Sequence, residues 1–425
     1  MQAGERNSKV VITGMAPIST LGIGKEAFWS ALLKGETAIE VIPELFERNY
    51  KFRSRHYTRL PEYRMQDYGI PAKFNYLMGE SAKLAVISAK LSIEDAGYDF
   101  SGGLRNDILK EAAVIVGISI GGLQDIAQSY VGHIVGENNA DLAQFGFTPF
   151  FDRMIVPTAM PNSASAWVSI LFGTKGDNFT VNAACASGNY AIGEAYRRIK
   201  AGYNKVVIAG GVDCLKETHG TLMRGFDVLG TLTRSADGRP QPFSENRSGF
   251  LFSEGGACLM VLEEYERAVE RGADIYAEIV GYEACSDAVS IVQIDKKAGQ
   301  IKSMIRKAVA DRKIDYVNTH GTGTLLNDAV ELSVFLDIFG KKGEQPFLNS
   351  SKSMLGHTLG ASAALEAAVC ALSIKHSVLH PNVAQDPMAD LNLVTSVRET
   401  EVGHALNVSY GFGGHNSAML FKKVM

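Results

Sequence analysis

A cysteine at a strand-to-helix turn is the residue of this chain best suited to chemistry. Cys185 follows the β-branched stretch Phe179–Val181 and precedes an amphipathic run that ends at Lys200. A sulfur at a helix N-terminus feels the positive end of the helix dipole and unpaired backbone N–H groups, which favour the thiolate. The small residues Ala186–Gly188 leave room for an acyl group. The pattern is typical of an acyl-transfer nucleophile, although a single cysteine can also be a small buried apolar residue.

Two of the nine histidines stand in settings that could complete such a site. His320 follows an apolar strand and opens a run of glycines and threonines, and His357 lies in a polar turn before an alanine-rich helix. On these patterns alone, each could be catalytic or structural. The glycine-rich loop Tyr410–Asn416 is either a tight turn or a source of backbone N–H groups for an oxyanion. It is not a phosphate-binding loop, because no lysine follows at the required spacing.

Composition and charge narrow the class of protein. At 425 residues and 46% hydrophobic content, the chain can form one large α/β unit or two fused halves. A net charge of −4 argues against nucleic-acid binding. No cysteine pair has metal-ligand spacing, so we expect no metal. The other four cysteines are expected in the core, and an odd count at low density favours a reducing compartment.

No segment of the sequence has the pattern of a targeting or membrane-spanning element. The polar stretch Met1–Lys9 lacks the apolar core of a signal peptide. The stretch Leu359–Ile374 is alanine-rich and contains Glu366, which predicts a buried helix rather than a membrane span. We therefore expect a cytoplasmic protein with no membrane partner.

Strand-like and helix-like runs alternate along the chain, which favours α/β layering. The predicted strands are Val10–Gly14, Ala113–Gly117, Lys205–Ala209, Ala257–Leu262, Ala277–Tyr282, Tyr316–Thr319 and His404–Ser409. The predicted helices are Lys25–Gly35, Tyr76–Ala96, Ala191–Ala201, Ala268–Gly272, Gln300–Ala310, Asn327–Phe339 and Ala361–His376. Each half opens with a similar strand and later carries an alanine-rich helix after a turn of small residues. This weak internal repeat predicts two similarly built halves.

A cluster of basic residues lies between residues 48 and 64, interleaved with tyrosines. Its members are Arg48, Lys51, Arg53, Arg55, Arg59 and Arg64. The cluster is either a solvated surface loop or a docking patch for an acidic partner.

Four ordered motifs resemble those of the β-ketoacyl-ACP synthases, the elongating condensing enzymes of thiolase fold, over nearly the whole chain. They are Ala184–Gly188, Thr319–Thr324 with Asn327, Asp328 and Glu331 following, Ser351–His357, and Gly411–Gly414. The resemblance implies an α/β, thiolase-like fold with two similar βαβ-rich halves in a five-layer αβαβα sandwich. The first half, residues 1–263, would carry the nucleophile, and the second, residues 264–425, both histidines. The site would lie at their junction, and the N-terminal half would form a dimer.

The resemblance also assigns catalytic roles. Cys185 would accept an acyl group from an acyl carrier protein as a thioester. The backbone N–H groups of Cys185 and Phe412 would form the oxyanion hole. His320 and His357, both neutral, would hydrogen-bond the malonyl thioester carbonyl and stabilise the enolate left by decarboxylation.

Supporting roles follow from the same resemblance. Lys352 would pair with Glu331 and hold the histidine loop rather than act as a base. The substrate-binding residues would be Thr322 and Thr324 for the phosphopantetheine arm, Ile120, Ala184 and Phe226 for the acyl pocket, and Phe412 as its gate. No cofactor of the enzyme's own is expected, because the carrier protein supplies the arm.

Two departures from the family pattern bear on the pathway. After Ser286–Ala288, fatty-acid enzymes commonly continue with Tyr-His, where this chain has Val289-Ser290. Before the first long helix they often carry a basic pair, where this chain has Asn75–Leu77. Both places lie near the family's carrier-protein entrance. We therefore favour elongation in a type II polyketide or polyene pathway, with housekeeping type II fatty-acid synthesis as the alternative.

Three other members of the fold superfamily fit the sequence less well. A non-catalytic chain-length factor usually lacks the cysteine, yet this chain could pair with such a subunit in place of a homodimer. A thiolase would carry a second reactive cysteine near the C-terminus, and none follows Cys370. Starter-unit synthases use a Cys-His-Asn set, which the two-histidine arrangement argues against.

Overall fold

The computed structural model describes residues 8–105, 107–130 and 153–424. Its strands are β1 (Val10–Ser19), β2 (Gly22–Ile23), β3 (Ile39–Val41), β4 (His56–Thr58), β5 (Ala113–Gly117), β6 (Asn178–Val181), β7 (Val206–Cys214), β8 (Phe252–Ser253), β9 (Gly255–Glu264), β10 (Ala277–Ser286), β11 (Tyr316–Asn318), β12 (Phe347–Asn349), β13 (Val378–Leu379), β14 (Arg398–Glu399), β15 (His404–Gly411) and β16 (His415–Lys422). Its helices are α1 (Lys25–Lys34), α2 (Glu44–Asn49), α3 (Glu80–Asp95), α4 (Leu123–Tyr130), α5 (Ile155–Ala159), α6 (Ser163–Phe172), α7 (Ser187–Lys200), α8 (Thr221–Leu229), α9 (Tyr265–Glu270), α10 (Gly299–Val309), α11 (Leu325–Phe339), α12 (Lys352–Leu355) and α13 (Ser362–His376).

The two halves of the chain repeat one strand topology. The first half has the order β6-β5-β7-β9-β1 across its sheet, and the second has β12-β11-β15-β16-β10. Numbered by appearance within each half, both orders are 3-2-4-5-1. In each half, strand 2 pairs in parallel with strands 3 and 4. Strand 5 pairs antiparallel with strands 4 and 1. The predicted internal repeat is therefore confirmed.

Strand β1 joins the two halves, because it pairs with β9 on one side and with β10 on the other. The register places Val10 opposite both Glu264 and Ile279. The predicted division between residues 263 and 264 falls at the end of β9, inside this hydrogen-bonded connection.

The helices complete five layers of the predicted αβαβα type. Helices α3 and α6 cover the outer face of the first half-sheet, and α10 and α11 cover that of the second. Helices α7 and α13 lie between the two half-sheets and contact strands of both. Residues 362–374 of α13 are all buried, which confirms the predicted buried helix. Small residues permit this packing, since a Cβ on Gly188 would lie 2.6 Å from the backbone nitrogen of Ala364.

The elements predicted from periodicity are confirmed within a few residues of their ends. The elements that were missed include β12, β16, α6, α8 and α12. Strand β12 has only three residues and ends directly in a polar turn, which gives no alternating pattern to detect.

The basic cluster at residues 48–64 is largely neutralised by neighbouring acids. Arg48 pairs with Glu44, Arg55 with Glu47, Arg59 with Glu40, and Arg64 with Asp67. Of the six basic residues, only Lys51 and Arg53 form no ion pair with the described part of the chain. These exposed pairs favour the surface-loop interpretation over a strong docking patch.

None of the helices in the described ranges is long and apolar enough to cross a membrane.

Candidate active site

One cavity of about 490 Å³ collects most of the predicted site residues. Its lining includes Cys185, His320, His357, Phe412, Thr322, Thr324, Ile120, Ala184 and Phe226. Lys352 and Glu331 do not line it and lie behind the histidines. The cavity reaches the surface between three exposed apolar residues, Leu229, Val292 and Leu325. A thioester on a flexible arm therefore has a route from solvent to the sulfur.

The turn from β6 into α7 holds the sulfur in a strained backbone conformation. Ala184 has a φ of 48°, a left-handed value that costs an alanine free energy. The Ser187 hydroxyl holds the turn closed, because it accepts from the Ala183 N–H at 2.9 Å and donates to the Ala184 carbonyl at 2.6 Å. Backbone N–H groups of Cys185 itself and of Phe412 face the sulfur. This is the pair of donors predicted for the oxyanion hole.

The surroundings of Cys185 favour the thiol, contrary to the thiolate that its helix position predicts. Burial raises its pKa to about 12, and the Asp213 carboxylate acts in the same direction. The Lys352 ammonium and the two backbone N–H groups oppose this shift without overcoming it. Helix α7 begins only at Ser187, so desolvation outweighs the helix dipole at the sulfur.

His357 is fixed as the tautomer that carries its proton on Nε2. Its Nδ1 accepts from the Leu359 backbone N–H at 3.3 Å and lies 3.0 Å from the Ser362 hydroxyl. The residue lies in the turn between α12 and α13, which corresponds in the second half to the turn between β6 and α7 in the first. Leu359 has a φ of 51°, close to that of Ala184. The Cys185 turn and the His357 turn are thus related by the internal duplication.

His320 is held in the same tautomer by a cation. Its Nδ1 lies 3.4 Å from the Lys352 ammonium, which can only donate, so the proton resides on Nε2. The two imidazole rings lie 5.7 Å apart at 82° to each other. Burial lowers the pKa of both histidines well below the usual value, and the Lys352 charge lowers each further. The site therefore offers two neutral Nε2–H donors to one cavity.

Lys352 pairs with Glu366, so the predicted Lys352–Glu331 pair is wrong. The Lys352 ammonium forms an ion pair with Glu366 of α13 and donates to the His320 carbonyl at 2.8 Å. Glu331 lies on the other side of the histidine loop, where it accepts from the N–H groups of His320 at 2.9 Å and Gly321 at 2.7 Å. These backbone bonds engage both of its oxygens. Lys352 and Glu331 hold the same loop independently from two sides.

Sequence reasoning missed several residues that position the site. Glu366 and Ser362 are buried polar side chains on a helix predicted to be apolar, and Asp213 lies beyond the predicted end of its strand. Phe250 packs its ring 5.0 Å from that of His357. An isolated carboxyl or hydroxyl group within an apolar stretch of sequence could have indicated such a residue, because a polar group must find a hydrogen-bond partner when it is buried.

The described entrance of the cavity is surrounded by an apolar surface, which we call the entrance rim. It consists of Leu229, Ile291, Val292 and Leu325, and their exposed fractions range from 37% to 77%. Ile291 lies at the rim because its carbonyl accepts the Gly413 N–H at 2.8 Å. Clustered exposed apolar side chains are typical of a surface that contacts a partner.

The tautomers lead to a spectroscopic prediction. At pH 6, His320 and His357 should both give the signature of a neutral imidazole protonated on Nε2, because their pKa lies well below the ordinary 6.5. Long-range ¹H–¹⁵N correlation on ¹⁵N-histidine-labelled protein measures this directly, and His→Ala variants assign the signals. A doubly protonated ring, or an Nδ1–H tautomer at either position, would contradict the geometry.

Comparison with known proteins identifies the family. The chain matches the family models "Beta-ketoacyl synthase, N-terminal domain" over residues 7–268 and "Beta-ketoacyl synthase, C-terminal domain" over residues 276–386. It is 33% identical to a 3-oxoacyl-[acyl-carrier-protein] synthase 2 of Staphylococcus aureus (strain N315), over 98% of this chain and 99% of that protein.

Solved structures agree with this match. The ishigamide ketosynthase/chain length factor is similar with a TM-score of 0.85 and 28% identity, covering 99% of this chain and 100% of that one. A β-ketoacyl synthase from Burkholderia phymatum STM815 is similar with a TM-score of 0.83 and 30% identity, covering 98% and 100%. The chain is therefore a member of the β-ketoacyl synthase family, an acyltransferase of thiolase-like fold.

Proposed function

We propose that this enzyme condenses an acyl group held on Cys185 with a malonyl group on an acyl carrier protein, giving a β-ketoacyl carrier protein and CO₂. The observation that carries the proposal is the single cavity that holds one thiol and two neutral Nε2–H donors. The enzyme uses no cofactor of its own, because the phosphopantetheine arm arrives with the carrier.

In the first step the sulfur of Cys185 attacks the acyl thioester. The carbon–sulfur bond to pantetheine breaks, and the departing pantetheine sulfur takes up the proton that the Cys185 thiol loses. Because Cys185 enters as a thiol, this exchange needs no net proton from solvent. The N–H groups of Cys185 and Phe412 stabilise the negative oxygen of the tetrahedral intermediate.

In the second step the malonyl carboxylate leaves as CO₂. The electron pair of the broken carbon–carbon bond moves to the thioester, whose oxygen becomes an enolate that accepts from the Nε2–H groups of His320 and His357. Neutral donors suit this step, because a charged imidazolium would instead pair with the carboxylate that must leave.

In the third step the enolate carbon attacks the acyl thioester on Cys185. A carbon–carbon bond forms and the bond to Cys185 breaks. The thiolate then takes one proton from solvent, which restores the resting thiol.

Intact-protein mass spectrometry tests this scheme. The wild-type enzyme, incubated with acyl-loaded carrier proteins, should gain one acyl mass, and it should lose that mass when malonyl-carrier is added, as β-ketoacyl-carrier appears. A folded enzyme that stays unmodified with every acyl donor would refute the proposal.

The carrier protein docks on the entrance rim in this proposal. A protein tethered to an arm inside the cavity must sit over its mouth, where Ile291 and Leu325 are exposed. Exposed cations lie beside the rim: Arg234 approaches Gly230, and Lys296 and Lys297 follow the rim segment. These charges suit an acidic carrier that bears a phosphodiester.

A charge on the rim should weaken carrier recognition without affecting chemistry. Ile291→Asp places a carboxylate on the contact surface, and we expect the KM for acyl-carrier to rise about 10-fold with kcat nearly unchanged. Steady-state kinetics with the carrier measure this. A short pantetheine thioester, which lacks the carrier protein, should be used equally well by variant and wild type.

Val269→Asp is the matched control, since Val269 is similarly exposed but lies on α9, outside the rim. Equal KM values for the two variants would contradict docking at the rim.

We assign the reaction to a type II polyketide or polyene pathway, in which the same site would elongate unsaturated or β-keto chains. The altered residues at Val289-Ser290 and the similarity to the ishigamide ketosynthase/chain length factor support this assignment. The second candidate is type II fatty-acid synthesis, which the name of the Staphylococcus aureus relative favours. Competition between saturated and polyunsaturated acyl-carriers distinguishes them: preference for saturated chains would select the fatty-acid pathway.

The functional assembly is a dimer in this proposal, either of two identical chains or of this chain with a chain-length-factor-like subunit. The solved ketosynthase/chain length factor at 28% identity supports the second form. The molecular mass of the assembly, measured for the enzyme purified alone and with the product of a neighbouring similar gene, distinguishes the homodimer from the heterodimer.

A further inference from the structure

A buried carboxylate with no assigned role lies between the two reactive turns. Asp213, at the end of β7, is fully buried. It accepts the backbone N–H groups of Ser119 at 3.1 Å, Ile120 at 3.1 Å and Gly360 at 2.7 Å, and also the Ser119 hydroxyl. A buried carboxylate with this many donors fixes the segments that supply them, because each N–H would otherwise lose its partner.

On one side these bonds lead to the nucleophile. The Ser119 carbonyl accepts from the Asn182 side-chain amide at 2.8 Å, and the Asn182 amide oxygen accepts from the Ala184 N–H at 3.2 Å. Ala184 is the strained residue directly before Cys185. The chain of bonds from Asp213 thus ends at the turn that presents the sulfur.

On the other side they lead to His357. Gly360 directly follows Leu359, whose N–H sets the His357 tautomer. The contact with Gly360 is close, since a Cβ on that residue would lie 2.6 Å from Asp213 Oδ2 and 2.8 Å from the Ser119 nitrogen. The carboxylate therefore fills the space where the two turns meet.

Building on the proposed function, we propose that Asp213 is a positioning residue that fixes Cys185 and His357 relative to each other across the junction of the two halves. It touches neither substrate nor reacting atoms. It acts through Ser119 and Ile120 on the side of the nucleophile, and through Gly360 on the side of the histidine.

The charge of Asp213 gives this role a distinctive signature. The carboxylate raises the pKa of the Cys185 thiol, whereas the Lys352 ammonium lowers it, and the neighbouring imidazoles of His320 and His357 are uncharged. Removing the negative charge should therefore ease ionisation of the thiol while misplacing it for catalysis. General loosening of the fold would also hydrate the buried thiol and speed its alkylation. The charge effect is therefore read from an Asp213→Asn protein whose thermal unfolding midpoint matches that of the wild type.

Asp213→Asn tests the proposal, because the amide keeps the shape but turns one acceptor into a donor that faces other donors. We expect kcat for condensation to fall about 10- to 100-fold, because the variant loses one or two hydrogen bonds to a charged group. The KM for the carrier should change little. At the same time, alkylation of Cys185 by iodoacetamide should become several-fold faster at pH 8, with its pH profile shifted to lower pH.

Asp95→Asn is the control, since Asp95 is a partly buried carboxylate that accepts a backbone N–H from Met15 at 2.9 Å in another part of the fold. It should change neither condensation nor alkylation. Equal effects of the two variants, or a parallel loss of condensation and alkylation in Asp213→Asn, would overturn the proposal.

Ser119→Ala covers the case in which Asp213→Asn does not fold. It removes only the hydroxyl bond to Asp213 and should lower kcat a few-fold, so an unchanged kcat would overturn the proposal. The wild-type enzyme is measured in the same series. Failure of the wild type to condense would refute the proposed function itself, which separates that outcome from the others.

Discussion

Cys185→Ala should abolish acyl loading and lower condensation by about 10⁴-fold or more, the scale of losing a covalent nucleophile. The expected result is no gain of acyl mass on incubation with acyl-carrier. Malonyl decarboxylation should persist, because the donors of His320 and His357 do not depend on the sulfur. Intact-protein mass spectrometry measures the loading, and formation of acetyl-carrier from malonyl-carrier measures the decarboxylation.

Cys258→Ala is the matched control for this experiment. Cys258 is a free, fully buried cysteine in β9, away from the cavity lining. The variant should load acyl groups like the wild type. An acyl mass that remains on Cys185→Ala would show that the nucleophile is another residue.

His320→Ala and His357→Ala should give the converse result. Each removes one Nε2–H donor from the developing enolate, which is worth roughly 3 kcal/mol, so decarboxylation should fall about 100-fold or more. Acyl loading should be much less affected, because the N–H groups that face the sulfur belong to Cys185 and Phe412. The cysteine variant would then lose acyl loading and keep decarboxylation, whereas the histidine variants would lose decarboxylation and keep acyl loading.

His376→Ala is the control for the histidines. His376 lies at the far end of α13, where its ring stacks on Trp29 at 6.1 Å. It should leave decarboxylation unchanged. If His320→Ala and His357→Ala decarboxylate at the wild-type rate while condensation fails, the enolate must be stabilised elsewhere.

Cys185, His320 and His357 were identified by the motifs that resemble those of the β-ketoacyl-ACP synthases, since on local pattern alone each could also be structural. Cys185 and His357 each lie in a turn that leads into a helix, and periodicity locates those helices. His320 follows a strand end, which turns its side chain to the edge where the other motifs converge. The cavity collects all three.

Features that depend on contacts between distant segments were not predictable. Glu331 and Glu366 are equally plausible partners for Lys352 on sequence, and only the packing of α13 against the histidine loop selects Glu366. The charge state of Cys185 depends on how completely the two halves exclude water from it, which a local pattern cannot express. Asp213 was not found because its donors come from segments far apart in the chain.

The pairing of β1 with β10 has a consequence for biogenesis. Val10 lies opposite Ile279, so one edge of β1 has no neighbour until the ribosome has made β10, far later in the chain. An unpaired strand edge invites association with other nascent chains. Contacts of such long sequence separation also form slowly. The interval between synthesis of β1 and of β10 is therefore the period in which a chaperone would most help this protein.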